Sequence, residues 1–151
     1  MMKTLIIYDS LTGNTEKIAR VMAKALKARL VKLNKANAKE ISKYDLVGFG
    51  SGIYAMRHSK NLLRFAEKLP TTDKNAFIFS TAGSPSLKFI GHFALRRRLK
   101  AKGFRIIGEF SCKGLDKFGP LKLVGGINKG RPNAKDLKNA EKFAEETKSR
   151  V

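Results

Sequence analysis

The sequence has 151 residues, 42% hydrophobic and 29% charged, which is the size and composition of a soluble chain that folds as one domain over residues 1–151. Its single cysteine excludes an internal disulfide, and one cysteine with two histidines excludes a Cys-rich or His-rich metal centre. The formal net charge of +20 attracts anions, either as an adaptation to ionic strength or toward a specific anionic partner, and says little about the fold.

Five apolar runs along the chain predict β-strands. Two of these runs have the continuous apolar cores Leu5–Ile7 and Phe77–Phe79. The run at residues 29–33 is the weak one. Continuous rather than alternating apolar residues are typical of parallel strands that are covered on both faces. The five predicted strands are Lys3–Asp9, Arg29–Leu33, Asp45–Gly50, Ala76–Ser80 and Phe104–Ser111.

Helical periodicity fills most of the intervals between these strands and follows the last one. One helix stops at Pro70, one opens at Ser84-Pro85-Ser86 and ends at Gly103, and the last has Asn133 as its N-cap. An acid three residues on, Asp136, is typical of a capping box. The apolar stripes are Ile18, Val21, Met22, Ala25 and Leu26; Leu62, Phe65, Ala66 and Leu69; Phe89, Ile90, Phe93 and Ala94; and Leu137, Ala140, Phe143 and Ala144.

The alternation of strands and helices predicts an α/β fold, a doubly wound five-stranded parallel sheet with helices on both faces. One segment departs from this pattern. Residues 112–131 contain five glycines and a proline, and their apolar side chains argue against disorder. A loop of this length within a compact domain is usually functional when it is ordered.

A polar loop, Ser10-Leu11-Thr12-Gly13-Asn14-Thr15, separates the first predicted strand from the first helix. The carboxyl edge of a parallel sheet is where ligands bind, and the N–H groups at a helix start attract anions. Three hydroxyls, one amide and a glycine that permits close backbone approach form a neutral cradle for a terminal phosphate. A polar turn that caps a helix is the alternative interpretation.

Two other phosphate-binding motifs and one related fold fit the sequence less well. The loop has no Gly-Lys-Ser/Thr ending, so it is not the P-loop of a nucleoside triphosphatase. Gly48, Gly50 and Gly52 have the wrong spacing for a dinucleotide fingerprint and lie at the end of a strand. A phosphorylated receiver domain needs an acceptor Asp after the third strand, where this chain has Gly50-Ser51.

The pattern of a serine at 10 followed by Thr12-Gly13-Asn14-Thr15, after an N-terminal strand, resembles the flavodoxins. The resemblance extends over essentially the whole chain in the order of elements and the placement of loops. Gly50–Ala55 and Thr81–Ser84 are similar to the two loops that flank the flavin in that family. Residues 126–133 are similar to the region before the last helix of short family members.

The resemblance implies a flavodoxin-like domain that binds FMN and transfers electrons, without a metal and without a catalytic acid or base. The FMN phosphate would lie on the polar loop, which Leu11 helps to close, and the ring would lie between the two flanking loops. A peptide at Ser51-Gly52 or Gly52-Ile53 would hydrogen-bond the flavin N5, because glycine permits the rotation. The implied cofactor-binding residues are Ser10, Leu11, Thr12, Gly13, Asn14, Thr15, Ser51, Gly52, Ile53, Tyr54, Thr81, Ala82, Gly83 and Ser84.

The sequence departs from the family in aromatic content and in charge. Tyr54 is the one aromatic residue of the first flanking loop and the second loop has none, so stacking on both ring faces is not expected. Tyr54 is either a flavin contact or a surface tyrosine. Flavodoxins are usually acidic, whereas this chain is basic. Its positive potential predicts a higher flavin reduction potential than in an acidic homologue, and an acidic redox partner protein.

Four other features carry expectations of their own. We expect Cys112 to be a small buried residue, His58 to face solvent near a helix start, and His92 to be structural. The basic run at 96–102 is either a docking patch for an acidic partner or RNA, or a solvated helix end that the helix dipole favours.

Two other functions remain open beside the electron carrier. Gly50–Tyr54 followed by His58 and Phe65 is also similar to the flavodoxin-like protoporphyrinogen dehydrogenases, which implies an FMN-dependent reductase or dehydrogenase acting on a quinone or a porphyrinogen. A basic module for acidic protein or nucleic acid ranks last, because the sequence has no RNA-binding aromatic motif. The sequence has neither a signal segment nor an apolar span, so we expect a cytoplasmic protein without a membrane span.

Overall fold

The computed structural model of the protein describes residues 2–114 and 130–151. These residues form strands and helices in alternating order. The strands are β1 (Thr4–Asp9), β2 (Arg29–Lys32), β3 (Leu46–Tyr54), β4 (Arg57–His58), β5 (Asn75–Ala82) and β6 (Arg105–Lys113). The helices are α1 (Asn14–Leu26), α2 (Lys60–Glu67), α3 (Lys88–Gly91), α4 (Phe93–Ala101) and α5 (Ala134–Lys148), with 3₁₀ turns at Leu33–Lys35, Ala38–Lys43 and Pro85–Leu87.

The sheet confirms the predicted architecture and adds one strand. Five strands run parallel in the order β2-β1-β3-β5-β6. The two-residue strand β4 folds back on β3 in antiparallel register, with Ile53 opposite His58. Because the five long strands are parallel, their carboxyl ends meet at one edge of the sheet, where ligands bind in folds of this kind.

Helices cover both faces of the sheet, as predicted. Neighbouring residues of β1 point to opposite faces, so Ile6 and Ile7 belong to two different apolar cores. The α1 and α5 side contains Ile18, Met22, Phe77, Phe79, Ala140 and Ala144, and the α2 and α4 side contains Phe49, Leu62, Ala66, Ile78, Leu95 and Leu99. None of the helices within the described ranges is long and apolar enough to cross a membrane.

The predicted start of the last helix is confirmed in detail. The side chain of Asn133 accepts a hydrogen bond from the backbone N–H of Asp136, and the Asp136 carboxylate accepts one from the Asn133 N–H, which forms a capping box. Arg131 pairs with the same carboxylate. These contacts fix the point at which the chain enters α5. Residues 115–129, most of the long loop expected from the sequence, lie outside the described residues.

The predicted helix at 84–103 differs from the structure in its continuity and in its buried face. It divides into a 3₁₀ turn, α3 and α4, with His92 at the junction. His92, Leu95 and Leu99 are fully buried, whereas Phe89 is 74% and Phe93 54% exposed. Of the apolar residues that the periodicity picked out, Ala94 packs against the core, whereas Phe89, Ile90 and Phe93 are exposed. The face turned to the sheet carries Leu95, Leu99 and the hydrogen-bonded His92 instead.

Candidate functional site

The loop between β1 and α1 has the geometry of an anion cradle. Gly13 precedes the first residue of α1 and has a φ of 87°, a left-handed conformation that favours glycine. Its N–H donates to the hydroxyl of Ser10 at 3.0 Å, which closes the loop. Gly13 has no side chain that could cap α1, so the helix begins without the side-chain acceptor that usually satisfies its first turn.

Two buried residues connect the cradle to the sheet. The hydroxyl of Thr15 lies 2.9 Å from the hydroxyl of Thr81, which joins the start of α1 to the end of β5. Asn14 is buried beside them, and a Cβ placed on Gly114 would lie 3.1 Å from its amide nitrogen. Thr12 and Leu11 are exposed at the tip of the loop. The Leu11 side chain is 77% exposed. Its expected part in closing the loop stays a prediction.

The first predicted flanking loop is the end of β3 and lies directly beside the cradle. Ser51 pairs with Asp9 on β1, and Gly52 pairs with Thr81 on β5. A Cβ on Gly52 would lie 2.5 Å from the Tyr54 hydroxyl, so the tyrosine folds back over the strand end. Burial raises the pKa of Tyr54, and the carboxylate of Asp9 raises it further.

Tyr54 also connects the two loops of the site. A hydrogen bond from the backbone of Leu11 to the Tyr54 hydroxyl lowers the tyrosine pKa against the two effects that raise it. The ring therefore spans from the end of β3 to the phosphate loop. Ile53 takes a different direction and packs against α3, where a Cβ on Gly91 would lie 3.4 Å from its terminal methyl carbon.

A strained turn follows Tyr54. Ala55 and Met56 have φ values of 49° and 67°, although neither is a glycine or an asparagine. Positive φ at both central positions is typical of a tight hairpin, here between β3 and β4. Non-glycine residues in this conformation cost of the order of 1–3 kcal/mol each, and such residues cluster at functional sites.

The second predicted flanking loop continues the same edge of the sheet. Thr81 is buried, Ala82 and Gly83 are half-buried, and Ser84 is exposed. The Ala82 carbonyl accepts a hydrogen bond from the N–H of Gly114 at 3.1 Å, which ties β5 to the end of β6. The structure therefore brings the polar loop and both flanking segments to one edge, with Ser84 at its solvent side.

Comparison with known proteins agrees with this geometry. A family model described as a flavodoxin domain matches residues 5–86, just over half of the chain. The chain belongs to the flavodoxin family. Flavodoxins bind FMN and pass electrons to partner proteins, and this chain is a flavodoxin-like electron-transfer protein.

Individual relatives show how far the likeness extends. An uncharacterized protein of Methanocaldococcus jannaschii is 51% identical over 144 residues, which cover 95% of this chain and 96% of the relative. A flavodoxin of Maridesulfovibrio salexigens is 27% identical over 72% of this chain and 84% of its own length. Oxidised flavodoxin 2 from Bacillus cereus covers 99% of both chains at a TM-score of 0.75 and 19% identity, which shows the shared fold.

A row of three serines crosses the sheet of this flavodoxin beneath the site. Ser51 on β3 pairs in register with Ser80 on β5, and Ser80 pairs with Ser111 on β6. The Ser80 hydroxyl donates to that of Ser111 at 2.8 Å. Ser51 and Ser80 are completely buried, so their hydroxyls need hydrogen-bond partners inside the protein.

Two histidines supply those partners. Nδ1 of His58 lies 2.9 Å from the Ser51 hydroxyl, and Nε2 of His92 lies 2.7 Å from the Ser80 hydroxyl. The two rings are 4.9 Å apart between centroids. Burial lowers the pKa of both imidazoles, most strongly at His58. The expectation that His58 faces solvent is wrong. His58 is 1% exposed, because β4 folds back on β3 and places the imidazole beside Ser51.

A carboxylate connects this histidine pair to the surface. Glu109 accepts a hydrogen bond from Nδ1 of His92 at 2.9 Å and two bonds from Arg96, each at 2.7 Å. Burial alone would raise the pKa of Glu109, but the bonds from His92 and Arg96 outweigh it and hold the pKa at about 2. Sequence reasoning missed this network, although serines inside otherwise apolar strands are a signal that buried polar partners exist.

The other predicted residues have ordinary structural roles. Cys112 is a buried residue, as expected, and burial raises the pKa of its thiol to about 12, so it is not a reactive thiolate at neutral pH. In the basic run, Arg96 pairs with Glu109 and Arg98 pairs with Glu67. Within residues 2–114 and 130–151, no group of His, Cys, Asp and Glu side chains is arranged to hold a metal ion.

Proposed function

We propose that this flavodoxin binds FMN non-covalently and carries electrons between partner proteins. The FMN phosphate would lie on residues 10–15 and the isoalloxazine ring between residues 51–54 and 81–84. The observation that carries the proposal is the cradle itself. A helix whose N-cap is a left-handed glycine begins at the carboxyl edge of the sheet and is surrounded by hydroxyl groups.

The groups in the cradle fit a phosphate. Backbone N–H groups at a helix start and hydroxyls donate to phosphate oxygens, and the positive end of the helix dipole favours the charge. A Cβ placed on Gly13 meets no atom within 4 Å, so the backbone there borders open space. Residues 10–15 include no Lys or Arg. The donors next to the proposed phosphate are therefore all neutral. The net charge of +20 on the rest of the chain adds a favourable electrostatic potential at longer range.

The rest of the site would orient the ring rather than perform proton chemistry. Bound FMN supplies one-electron and two-electron redox chemistry. Tyr54 presents its ring between the phosphate loop and the end of β3, and Gly52, without a side chain, leaves its backbone the freedom to turn a peptide toward the ring. We propose the Gly52–Ile53 peptide as the backbone group that faces the flavin N5.

Titration of the apoprotein with FMN and with riboflavin tests this assignment. A phosphate that accepts several charge-assisted hydrogen bonds contributes 1.5–3 kcal/mol or more for each well-placed bond. We therefore expect FMN to bind at least 100-fold more tightly than riboflavin in a fluorescence-quenching titration. Equal affinities would overturn the phosphate cradle, and a failure of both flavins to bind would overturn the proposed function.

A second measurement separates the carrier from the dehydrogenase alternative. Pure holoprotein is mixed with NAD(P)H, a quinone or a porphyrinogen, and the flavin absorbance is followed without oxygen. A carrier shows no steady-state turnover and is reduced only through another redox protein. Sustained turnover of one of these compounds would replace the carrier with an FMN-dependent reductase or dehydrogenase.

We further propose that an acidic redox protein docks on the apolar groove beside this site. The groove has a volume of about 340 Å³ and lies between the strained turn after β3 and helices α3 and α4. It is lined by Ala55, Met56, Arg57, Phe89, Ile90, Phe93 and Ala94. Met56 and the three large residues of the helices are 49–74% exposed, and exposed apolar patches of this kind mark interaction sites.

Charge identifies the kind of partner. Arg57 lines the groove, and the Arg96 guanidinium lies 4.8 Å from the centroid of the Phe89 ring. The nearby carboxylate of Glu109 is already paired with Arg96 and His92. With 32 basic and 12 acidic residues, a second copy of this chain would be repelled, whereas an acidic surface would be attracted. The groove begins directly after Tyr54, so a protein docked there would lie next to the proposed ring site.

Stopped-flow reduction of the holoprotein by a purified, reduced acidic ferredoxin tests the groove. We expect the double variant Phe89→Ser/Phe93→Ser to reduce the second-order rate constant at least tenfold, because removal of buried interface aromatics costs about 1 kcal/mol or more each. Arg57→Gln should weaken the dependence of the rate on salt. The control is Val151→Ser, another exposed apolar residue, which lines a cleft at the opposite edge of the sheet.

Two results of this stopped-flow experiment would contradict docking at the groove. Rates that are equal in the wild type, the groove variant and the Val151 control would overturn it, as would a failure of the ferredoxin to reduce the flavin. Salt-dependent binding of single-stranded RNA that the groove variants abolish would assign the surface to nucleic acid instead.

A further inference from the structure

One hydroxyl group, that of Ser51, which is itself completely buried, makes three polar contacts. It donates to the carbonyl oxygen of Gly52 at 2.7 Å and accepts from the backbone N–H of Ser59 at 3.0 Å. Its third neighbour is Nδ1 of His58 at 2.9 Å. A serine hydroxyl has a single proton to donate. If that proton goes to Gly52, the nitrogen of His58 has to be the donor in the third contact.

The surroundings of His58 favour this tautomer. The ring is 1% exposed, and among the described residues its Nε2 has no hydrogen-bond partner. An N–H at Nε2 would be a buried donor without an acceptor, whereas a proton at Nδ1 leaves only an unused lone pair at Nε2. Buried orphan donors are rarer than under-used acceptors. The neutral Nδ1–H form therefore suits both the ring and the serine.

We propose that His58 is a positioning residue for the Gly52–Ile53 peptide. By donating from Nδ1 to Ser51, His58 occupies one lone pair of the hydroxyl and, together with the Ser59 N–H, orients the serine proton toward the Gly52 carbonyl. The Ser51 hydroxyl then holds that carbonyl inward, toward the serine row. The inference rests on the proposed function, because this peptide is the group that we place at the flavin N5. Rotation of the carbonyl toward a ligand would break the Ser51 bond, so the bond sets part of the free-energy difference between the two peptide orientations.

The neighbours of His58 support a neutral ring. The titratable and charged groups that face it are His92 at the junction of α3 and α4, Glu109 on β6 and Arg96 on α4. Burial lowers its pKa well below the ordinary value, and His92 and Arg96 lower it further, against the opposite effect of Glu109. The imidazole therefore remains neutral across the physiological range and keeps one donor and one acceptor nitrogen.

The hydrogen bonds from His58 to Ser51 and from Ser51 to the Gly52 carbonyl are expected to influence the flavin reduction potential. Ser51→Ala removes the bond that holds the Gly52 carbonyl inward and so lowers the cost of turning that carbonyl outward. His58→Leu leaves the Ser51 proton on the Gly52 carbonyl but removes one of the two donors that polarise and orient the hydroxyl, so the bond is weakened. A hydrogen bond contributes about 1 kcal/mol, which is fivefold to tenfold in an equilibrium constant. We expect Ser51→Ala to stabilise the reduced holoprotein by that factor and His58→Leu to do so by a smaller factor, and a tenfold change raises a one-electron potential by 59 mV.

Three further variants separate positioning from general stability. His58→Asn keeps an N–H donor near the Nδ1 position and should restore the wild-type potential. The double variant Ser51→Ala/His58→Leu should shift the potential no more than Ser51→Ala alone. His92→Asn is the matched control, since it replaces the other buried histidine, which contacts Ser80 rather than Ser51. We expect His92→Asn to change the free energy of unfolding, and to change the equilibrium constant for flavin reduction by less than twofold.

Nuclear magnetic resonance of ¹⁵N-histidine protein tests the inference independently of flavin binding. The expected result is a protonated Nδ1 at His58 in both apoprotein and holoprotein. Protonation at Nε2, or unchanged potentials in both Ser51→Ala and His58→Leu, would overturn the inference. If Nδ1 is protonated but FMN does not bind, the hydrogen-bond arrangement stands and the proposed function fails.

Discussion

Replacement of Gly13 by alanine is expected to weaken FMN binding at least tenfold while leaving riboflavin binding nearly unchanged. The backbone at Gly13 has a φ of 87°, and a residue with a Cβ loses roughly 1–2 kcal/mol in the left-handed conformation. Nothing within 4 Å would clash with the new methyl group, so the loop is able to relax rather than unfold the protein. Relaxation would redirect the N–H groups at the start of α1, which the proposed phosphate needs.

A matched control separates loss of the cradle from loss of stability. Gly130 also has a positive φ, 75°, and a Cβ there meets no atom within 4 Å. Gly130→Ala should therefore destabilise the protein to a similar extent in urea and leave the FMN to riboflavin ratio unchanged. Fluorescence titration of both variants with both flavins gives this ratio. A parallel decrease in affinity for FMN and riboflavin in Gly13→Ala would place the phosphate elsewhere.

The second large effect is expected in the dependence of stability on pH. The pKa of Glu109 is about 2 in the folded protein, against 4.5 ordinarily. A carboxylate with a lowered folded pKa stabilises the protein fully above pH 4.5, and this contribution is lost as the pH falls toward 2. The shift corresponds to at most about 3 kcal/mol. Since the side chain is 21% exposed, solvent screening reduces the expected contribution to about 1–2 kcal/mol.

Urea unfolding of the wild type and of Glu109→Gln between pH 7 and pH 3 measures this contribution. The variant should be less stable at pH 7, because Arg96 and His92 lose their partner, and the difference should shrink as the pH falls. Glu67→Gln is the matched control, since Glu67 pairs with Arg98 at 2.8 Å but is 53% exposed. Its profile should follow that of the wild type. A difference between wild type and Glu109→Gln that stays constant with pH would contradict the assignment.

Local signals explain which elements could be predicted from the sequence. The strands were recognisable because residues buried on both faces, such as Ile6 and Phe77, form continuous apolar runs. The start of α5 was recognisable because a capping box needs only Asn133 and Asp136, three residues apart. The polar loop was recognisable because Gly13 and its neighbours lie between a strand and a helix. Each of these signals depends on neighbours along the chain.

Contacts between distant residues explain what could not be predicted. The burial of His58 depends on Ser51 across a hairpin, and the burial of His92 depends on Ser80 and Glu109, 12 and 17 residues away along the chain. Apolar periodicity assigns the inner face of a helix from its hydrophobic side chains. It therefore gives no reason to expect Phe89 and Phe93 at the surface, whereas the structure exposes both and buries His92 together with Leu95 and Leu99.

The sequence by itself determined the order of strands and helices, the position of the phosphate loop and the membership of a family, because periodicity, capping and glycine conformation act over a few residues. Only the tertiary structure decided which polar groups lie together under the sheet edge and which apolar groups face outward. The serines of three strands, two of them fully buried, and the two histidines stabilise one another only after the sheet has formed. The exposed groove beside the proposed ring site is lined by Phe89, Ile90 and Phe93 of α3 and α4, whereas His92, Leu95 and Leu99 of the same segment are buried.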